Sequence, residues 1–220
     1  MPRGLLIVFE GAEGAGKSTQ LKRLAERLVA LGREVVSLRE PGGTAVGDEI
    51  RRVLLDPASE IAPRAEALLF MASRAQLVER RIRPSLDRGS IVLLDRFFLS
   101  TYAYQGHGRG LPEEEIRVAN SMATGGLVPD LTVLLTLPVE AGLARAMDRG
   151  GHDRMERADI AFHERVTRAF EVFATTAWQA THAECGPVVS VDGRGTESEV
   201  FTRVEETLRR RWPDLFGATA

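Results

Sequence analysis

Eight residues near the start of the chain have the types and spacing of a loop that binds phosphate groups. Residues 11–18 read Gly-Ala-Glu-Gly-Ala-Gly-Lys-Ser and fit the pattern G-x-x-x-x-G-K-[ST]. Glycines let the backbone curl so that successive N–H groups converge on phosphate oxygens, and a following helix adds the positive potential of its N-terminus. The pattern predicts that Lys17 contacts the outer phosphates of a nucleotide and that Ser18 ligates Mg²⁺.

A second candidate is an acidic residue at the end of an apolar run. Residues 91–94 read Ile-Val-Leu-Leu, and Asp95 follows them directly. Taken alone, an Asp at a strand end is as often a cap as a functional group. Beside a phosphate-binding loop, the expected task of Asp95 is to orient Mg²⁺ through water. Both predicted metal-site residues, Ser18 and Asp95, therefore belong to the same nucleotide site.

The bulk composition limits the classes of protein to which the chain can belong. It has 220 residues, 44% of them hydrophobic, a net charge of −2 and one cysteine, Cys185. This length and balance fit a single globular domain over residues 1–220. The small net charge gives no general attraction to nucleic acid or anionic membrane. With no internal disulfide and no span long enough for a membrane, we expect a soluble cytoplasmic protein.

Short β-rich runs alternate with helical patterns from one end of the chain to the other. The runs are Leu5–Phe9, Glu34–Leu38, Ser90–Leu94, Leu131–Leu137 and Val188–Val191. Several are apolar at nearly every position, as expected for strands covered on both faces. The alternation predicts an α/β fold, a five-stranded parallel sheet with helices on both faces and ligands at the carboxyl ends of the strands.

The helical patterns carry recognisable ends, and two segments do not fit them. Gly32 is predicted to end the first helix, and Thr196 with Glu199 forms a capping box at the start of the last. We expect the Gly-rich stretch Gln105–Leu111 to be a loop. Residues 149–159 are charged and poor in large apolar side chains, so we predict a mobile surface flap, or lid, there.

The class of nucleotide-binding protein follows by elimination. A switch GTPase needs an Asn-Lys-x-Asp guanine reader, but neither Lys17 nor Lys22 follows an Asn. Motor and transport ATPases are usually larger or built from repeats. A small chain with a phosphate loop and an arginine-bearing flap fits a nucleotide kinase.

Several sequence blocks narrow the choice. They are residues 9–19, Arg39-Glu40-Pro41-Gly42-Gly43-Thr44, Phe70-Met71-Ala72-Ser73-Arg74, residues 95–106, and Pro129-Asp130-Leu131. On these blocks the chain resembles bacterial thymidylate kinases over essentially its whole length. The resemblance implies transfer of the γ-phosphoryl group of ATP to dTMP, with Mg²⁺, in a homodimeric enzyme that has no nucleic-acid or membrane partner. The implied ATP-binding residues are Gly11, Ala12, Glu13, Gly14, Ala15, Gly16, Lys17, Ser18 and Thr19.

The resemblance also implies roles for residues around the acceptor base. Phe70 stacks on thymine, Arg74 hydrogen-bonds its O4, and Thr101 and Gln105 lie near the remaining base edge. Tyr104 lies where a 2′-hydroxyl would project. Chemistry supports Arg74 independently, because a guanidinium only donates and would face the donor amine of cytosine. Without the resemblance, Phe70 on the predicted helix 65–81 reads equally as a core residue.

A further set of residues is implied at the acceptor sugar and the reacting phosphates. Glu13 approaches the sugar 3′-OH, and Arg51 and Arg96 hold the acceptor phosphate. The phosphate loop carries no arginine, so the resemblance points to an arginine from the flap, with Arg154 expected first and Arg149 second. The predicted catalytic residues are thus Lys17, Asp95, Arg96, Arg149 and Arg154.

Two positions depart from the family pattern, and two alternatives stay open. Phe97 stands where many members have Tyr or His, and Thr101 stands where some carry Asn. The alternatives are a kinase for another nucleoside monophosphate or a deoxynucleoside, and a non-catalytic nucleotide-binding module. ADP production with dTMP, compared with ATP alone, distinguishes them.

Overall fold

The computed structural model describes residues 3–147, 154–155 and 158–217. The strands are β1 (Leu6–Glu10), β2 (Val35–Arg39), β3 (Ile91–Asp95), β4 (Leu131–Thr136) and β5 (Val188–Asp192). The helices are α1 (Lys17–Ala30), α2 (Ala45–Leu55), α3 (Pro63–Leu77), α4 (Arg83–Asp87), α5 (Phe98–Thr101), α6 (Glu113–Thr124), α7 (Val139–Met147), α8 (Ile160–Phe173), α9 (Thr176–Thr181) and α10 (Glu197–Arg211). Two π-helical segments, Val78–Ile82 and Tyr102–Gly108, extend α3 and α5.

The five strands form one parallel sheet in the order β2-β3-β1-β4-β5, which confirms the predicted fold class. In this order, the connection after β1 runs to β2 in one direction across the sheet, and the connection after β3 runs to β4 in the opposite direction. The carboxyl ends of β1 and β3 therefore border a crevice, the place where open parallel sheets bind ligands. The register puts Asp95 opposite Phe9, so the end of β3 lies beside the start of the phosphate loop.

Alternate residues of each central strand enter separate cores on the two faces of the sheet. Leu6 and Val8 pack in one core with residues of α8, whereas Ile7 and Phe9 pack in the other with residues of α1 and α10. All four are completely buried. Because both faces are covered, β1 must be apolar at successive positions, which is the pattern seen in the sequence.

The helix ends match the predicted signals, but one predicted loop is wrong. Thr196 and Glu199 form both bonds of a capping box, and Gly32 follows α1 with a φ of 75°. The predicted Gly-rich loop Gln105–Leu111 instead belongs largely to the π-helical segment Tyr102–Gly108. A Cβ on residue 108 would lie 2.5 Å from the Phe162 ring, so a glycine at this position permits close packing on α8. This packing overrides the weak helix propensity of the segment.

The remaining fold predictions concern the flap and the membrane. Most of residues 149–159 lie outside the described part of the chain, so the mobile flap stays a prediction. Within the described part, no helix combines the length and apolar character that crossing a membrane requires.

Candidate functional site

One cavity at the carboxyl edge of the sheet joins the phosphate loop to α2, α3 and the helix that follows β3. Of the predicted site residues it brings together Glu13, Gly14, Gly16, Lys17, Ser18, Thr19, Arg51, Phe70, Arg74, Asp95, Arg96, Thr101, Tyr104 and Gln105. Gly11, Ala12 and Ala15 belong to the same loop but do not line this cavity, and Ala12 borders a smaller one. A single space thus contains both predicted halves of the site.

The phosphate loop holds Lys17 at the first position of α1. The Lys17 ammonium donates to the carbonyl oxygens of Gly11 (3.0 Å) and Ala12 (2.8 Å). Gly14 has a φ of 71°, and a Cβ there would lie 2.0 Å from the carbonyl oxygen of Gly142. Burial, together with the positive charge of Arg96, lowers the pKa of Lys17 to about 8. The loop therefore keeps a buried lysine in the wall of the cavity, and desolvation of its ammonium group costs free energy.

The predicted metal residues converge at the edge of this loop. The Ser18 hydroxyl donates to Oδ2 of Asp95 at 2.5 Å. A hydroxyl and a carboxylate are hard oxygen donors, the kind that Mg²⁺ prefers, and Mg²⁺ commonly takes only one or two protein ligands beside water and phosphate. Among the described residues no cluster of three His, Cys, Asp or Glu side chains exists that would suit another metal. The donor set thus fits Mg²⁺ bound together with a nucleotide.

Arg96 connects the phosphate loop to the helix after β3. Its guanidinium donates to the carbonyl oxygen of Gly11 (3.3 Å), to the Ser100 hydroxyl (3.0 Å) and to the Glu13 carboxylate. It also donates to the Tyr104 hydroxyl at 3.2 Å. Apart from glycines, Arg96 is the described residue with a positive φ, 71°, a left-handed backbone conformation that costs about 1–3 kcal/mol. These contacts hold the side chain between the two halves of the cavity.

A buried carboxylate that the sequence interpretation missed supports Arg96. Oε1 of Glu10, at the end of β1, accepts from the backbone N–H groups of Phe97 (2.7 Å) and Ser100 (3.0 Å). Its Oε2 accepts from the Ser100 hydroxyl at 2.6 Å. Glu10 is completely buried, and these bonds offset the desolvation of its charge. Through Ser100, Glu10 thus fixes one side of the Arg96 guanidinium.

Tyr104 and Phe70 form the aromatic part of the cavity. The Tyr104 hydroxyl donates to Oε1 of Glu13 at 3.1 Å, and burial raises the pKa of this phenol well above its usual value. Tyr104 therefore stays protonated and fixed. Phe70, on α3, is half-buried and lines the cavity. Arg51, on α2, also lines the cavity and donates to the Pro41 carbonyl at 3.0 Å.

Arg74 lines the cavity but is already engaged by the protein. Nε donates to Oε2 of Glu40 (2.7 Å), and Nη2 donates to the Phe97 carbonyl (2.9 Å). Nη1 donates to the Thr101 hydroxyl (2.9 Å) and to the Asn120 side chain. Burial raises the pKa of Glu40 even though Arg74 lies against it. The predicted contacts of Arg74 and Thr101 with a base therefore require sharing or exchange of these hydrogen bonds.

Gln105 and Arg154 both contact Glu66, a buried residue on α3. The Gln105 amide donates to Oε1 of Glu66 at 2.9 Å, and Nη1 of Arg154 lies 2.7 Å from Oε2. Arg154 does not line the cavity among the described residues, whereas its neighbour Met155 does. Arg149 lies outside the described residues. The predicted roles of both arginines at the reacting phosphates stay predictions.

Sequence reasoning assigned no role to four residues that shape the cavity. The position of Glu10, an acidic residue directly after the apolar run of β1, could have indicated its role. Membership of the Glu-Pro-Gly-Gly-Thr block could have indicated Glu40. No comparable signal marks Glu66 or Met155, because their roles come from contacts between segments distant in the chain. Such contacts depend on the fold rather than on local spacing.

Comparisons with known proteins show which family the chain resembles. Residues 9–186 match the family profile described as thymidylate kinase. The chain is 48% identical to the thymidylate kinase of Deinococcus radiodurans over 211 residues, covering 96% of this chain and 99% of that protein. It is 47% identical to the thymidylate kinase of a Geobacter species over 219 residues, covering 96% and 94%.

A solved structure gives the same result for the fold. The crystal structure of thymidylate kinase from Ehrlichia chaffeensis aligns with a TM-score of 0.73 and 30% sequence identity, covering 94% of this chain and 100% of that one. On these matches and on the geometry of its site, the chain belongs to the thymidylate kinase family.

Proposed function

We propose that the protein transfers the γ-phosphoryl group of ATP to dTMP, giving ADP and dTDP for dTTP synthesis. The observation that carries the proposal is one cavity lined both by Lys17 and Ser18, which belong to the predicted phosphate site, and by Phe70 and Tyr104, which belong to the predicted acceptor site. A phosphoryl donor and a nucleoside monophosphate acceptor in that space would meet beside Arg96. Phosphoryl transfer needs positioning and charge neutralisation rather than a covalent intermediate, and this arrangement provides both.

At the donor end, the phosphate loop binds ATP. The N–H groups of residues 11–19 and the N-terminus of α1 surround the phosphates, and the Lys17 ammonium exchanges its Gly11 and Ala12 carbonyl partners for phosphate oxygens. Ser18 and Asp95 would hold Mg²⁺, which when bound neutralises charge on the phosphates. A flap arginine, Arg149 or Arg154, stays the predicted source of further positive charge.

At the acceptor end, Phe70 stacks on the thymine, and Arg74 and Thr101 face its polar edge. Tyr104 occupies the space next to the sugar at the position of a 2′-hydroxyl, with Glu13 near the 3′-OH. Arg51 and Arg96 bind the acceptor phosphate. Their planar donor groups suit phosphate oxygens, and both side chains line the cavity.

The substrate preference follows from this acceptor end. Among dTMP, dUMP, dCMP, AMP and GMP, we expect dTMP to give the highest kcat/KM and dUMP the second highest in a coupled assay of ADP release. The first two share the O4 and N3–H edge and differ by one methyl, worth about 1–3 kcal/mol. The donor amine of dCMP would face the donor-only Arg74.

A variant of the phosphate loop tests, in the same assay, whether the turnover comes from this site. Lys17→Ala should keep the circular dichroism spectrum and lose at least about a hundredfold in kcat. The reason is that it removes the positive charge that stabilises the transferring phosphoryl group. AMP or GMP as the best acceptor would contradict the assignment, as would a Lys17→Ala variant with activity near that of the wild type.

The lowered pKa of Lys17 predicts a pH dependence of ATP capture. Below its pKa of about 8 the side chain is the ammonium that phosphates require, and above it the neutral amine predominates. We expect kcat/KM for ATP to be level below this pH and to fall by about tenfold per pH unit above it. Initial rates at low ATP and saturating dTMP measure this.

A matched control is available because Lys22 is the other lysine of the chain. Lys22 is exposed on α1, so Lys22→Met should leave the pH profile unchanged. Thermal melts at each pH exclude unfolding as the cause. A profile that stays level to pH 10 would show that Lys17 keeps an ordinary pKa in the enzyme before ATP binds.

We also propose that the protein forms a homodimer through α3 and α6. Leu68 on α3 is 64% exposed, and Val118 and Met122 on α6 are 61% and 88% exposed. An ion pair between Arg64 and Glu115 joins the two helices. Leu68 lies one turn after Arg64, and Val118 and Met122 lie one and two turns after Glu115, so the three apolar side chains lie on the same side. Exposed apolar clusters of this kind suit a self-complementary interface. The cytoplasmic location and the lack of nucleic-acid partners stay predictions.

Light scattering tests the dimer. At micromolar protein the wild type should have about twice the chain mass of 24.1 kDa, and the double variant Leu68→Glu/Met122→Glu should have one chain mass. Val29→Glu, at a residue on α1 that is 58% exposed, is the control and should stay dimeric. A wild-type mass near 24.1 kDa would refute the proposal.

A further inference from the structure

Asn120 is the one asparagine in the chain, and it lies in the protein interior. It belongs to α6 and is completely buried. Its Oδ1 accepts a hydrogen bond from Nη1 of Arg74, whereas its Nδ2 has no hydrogen-bond partner among the described residues. A buried donor without a partner destabilises the folded state. The bond to Arg74 is the contact of the Asn120 side chain that offsets this cost.

The orientation of the Asn120 amide follows from the chemistry of Arg74. A guanidinium has five N–H groups and no acceptor, so the amide oxygen has to face Nη1. The opposite orientation would set the Nδ2 donor against another donor. Asn120 differs from the carboxylate of Glu40, the other side chain that accepts from the same guanidinium, because it adds no negative charge. A neutral acceptor thus holds Nη1 and leaves the positive charge of Arg74 available to a ligand.

The other partners of Arg74 show which of its bonds is open to the cavity. Nε donates to Glu40, and Nη2 donates to the Phe97 carbonyl at 2.9 Å. Nη1 donates to the Thr101 hydroxyl at 2.9 Å as well as to Asn120. Thr101 lines the cavity, whereas Asn120 and Phe97 do not. A base in the cavity can therefore share the N–H that Thr101 accepts, while the N–H held by Asn120 stays inside the protein.

We propose that Asn120 is a positioning residue that sets how strictly the enzyme distinguishes thymine from cytosine. It anchors one N–H of Nη1 on Arg74, so that the other N–H meets the O4 atom of thymine or the 4-amino group of cytosine. The inference rests on the proposed function, in which Arg74 faces the polar edge of the base. A fixed donor rejects the amine because two donors cannot bond, whereas a guanidinium that is free to turn avoids the mismatch.

Two ligands that differ only at the polar edge of the base test the proposal. They are dTMP and 5-methyl-dCMP, which share the methyl group, the sugar and the phosphate. Isothermal titration calorimetry gives a dissociation constant for each ligand, and the ratio of the two constants measures the selectivity. This ratio does not depend on how much of the protein is folded, because the stoichiometry reports the folded fraction separately.

Replacing the amide by an apolar group of similar size removes the anchor. Asn120→Leu should weaken the binding of dTMP by about tenfold and leave that of 5-methyl-dCMP within about twofold, so the selectivity falls by at least about fivefold. In kinetic assays KM for dTMP should rise, while kcat and KM for ATP stay within about threefold. Asn120→Asp keeps an oxygen that accepts from Nη1 and should keep the selectivity within about threefold of the wild type.

A matched control is Thr124→Val. Thr124 is buried one turn after Asn120 on α6, and its hydroxyl donates to the Asn120 backbone carbonyl at 2.9 Å. The variant therefore loses a buried hydrogen bond on the same helix but leaves the acceptor of Arg74 in place. It should lower the melting temperature and keep the selectivity. Should Asn120→Leu fail to fold, Asn120→Ala, which also lacks an acceptor and needs less space, takes its place.

A folded Asn120→Leu or Asn120→Ala variant that keeps the selectivity of the wild type would overturn the proposal. Tighter binding of dTMP by these variants would also overturn it, because that result would show that Asn120 competes with the base for Arg74. A wild type without dTMP kinase activity would refute the proposed function itself. An active wild type whose selectivity does not change on loss of the Asn120 amide would refute only the role of Asn120.

Discussion

The Arg96 guanidinium is the interaction on which the arrangement of the site depends. It is bonded to Gly11 and Glu13 of the phosphate loop and to Ser100 and Tyr104 of the helix after β3. The phosphate loop and the helix after β3 are therefore joined through one side chain. A left-handed backbone at a residue with a side chain is tolerated because these bonds, and parallel pairing of β1 with β3, outweigh its cost.

Buried carboxylates hold the rest of the cavity in place. Glu10 fixes the start of the helix after β3, Glu40 fixes Arg74, and Glu66 fixes residues 154–155. All three are at most 4% exposed, so each would be costly without its partners. Burial of apolar side chains in the two cores, on either side of the sheet, offsets the cost of burying these charges. The cavity can then stay polar and ordered at the edge of a stable sheet.

The sequence predicted the sheet, the phosphate loop and most of the cavity lining, because each depends on local pattern. Apolar runs located all five strands to within about one residue, and glycine spacing located Lys17 and Ser18. The Gly-rich segment after Tyr104 was predicted as a loop because its helical form depends on packing against Phe162. Glu66 and Met155 gave no signal, since the contacts that define their positions join residues far apart in the chain.

The most direct test of this account is a crystal structure with dTMP and ADP bound. The account predicts the acceptor phosphate on the Arg96 and Arg51 guanidinium groups, with the thymine ring over Phe70 and the ADP phosphates around Lys17. Arg96 would then contact both the phosphate loop and the acceptor. An acceptor phosphate bound elsewhere, with Arg96 still bonded only to Glu13 and its other protein partners, would contradict the central role given to this residue.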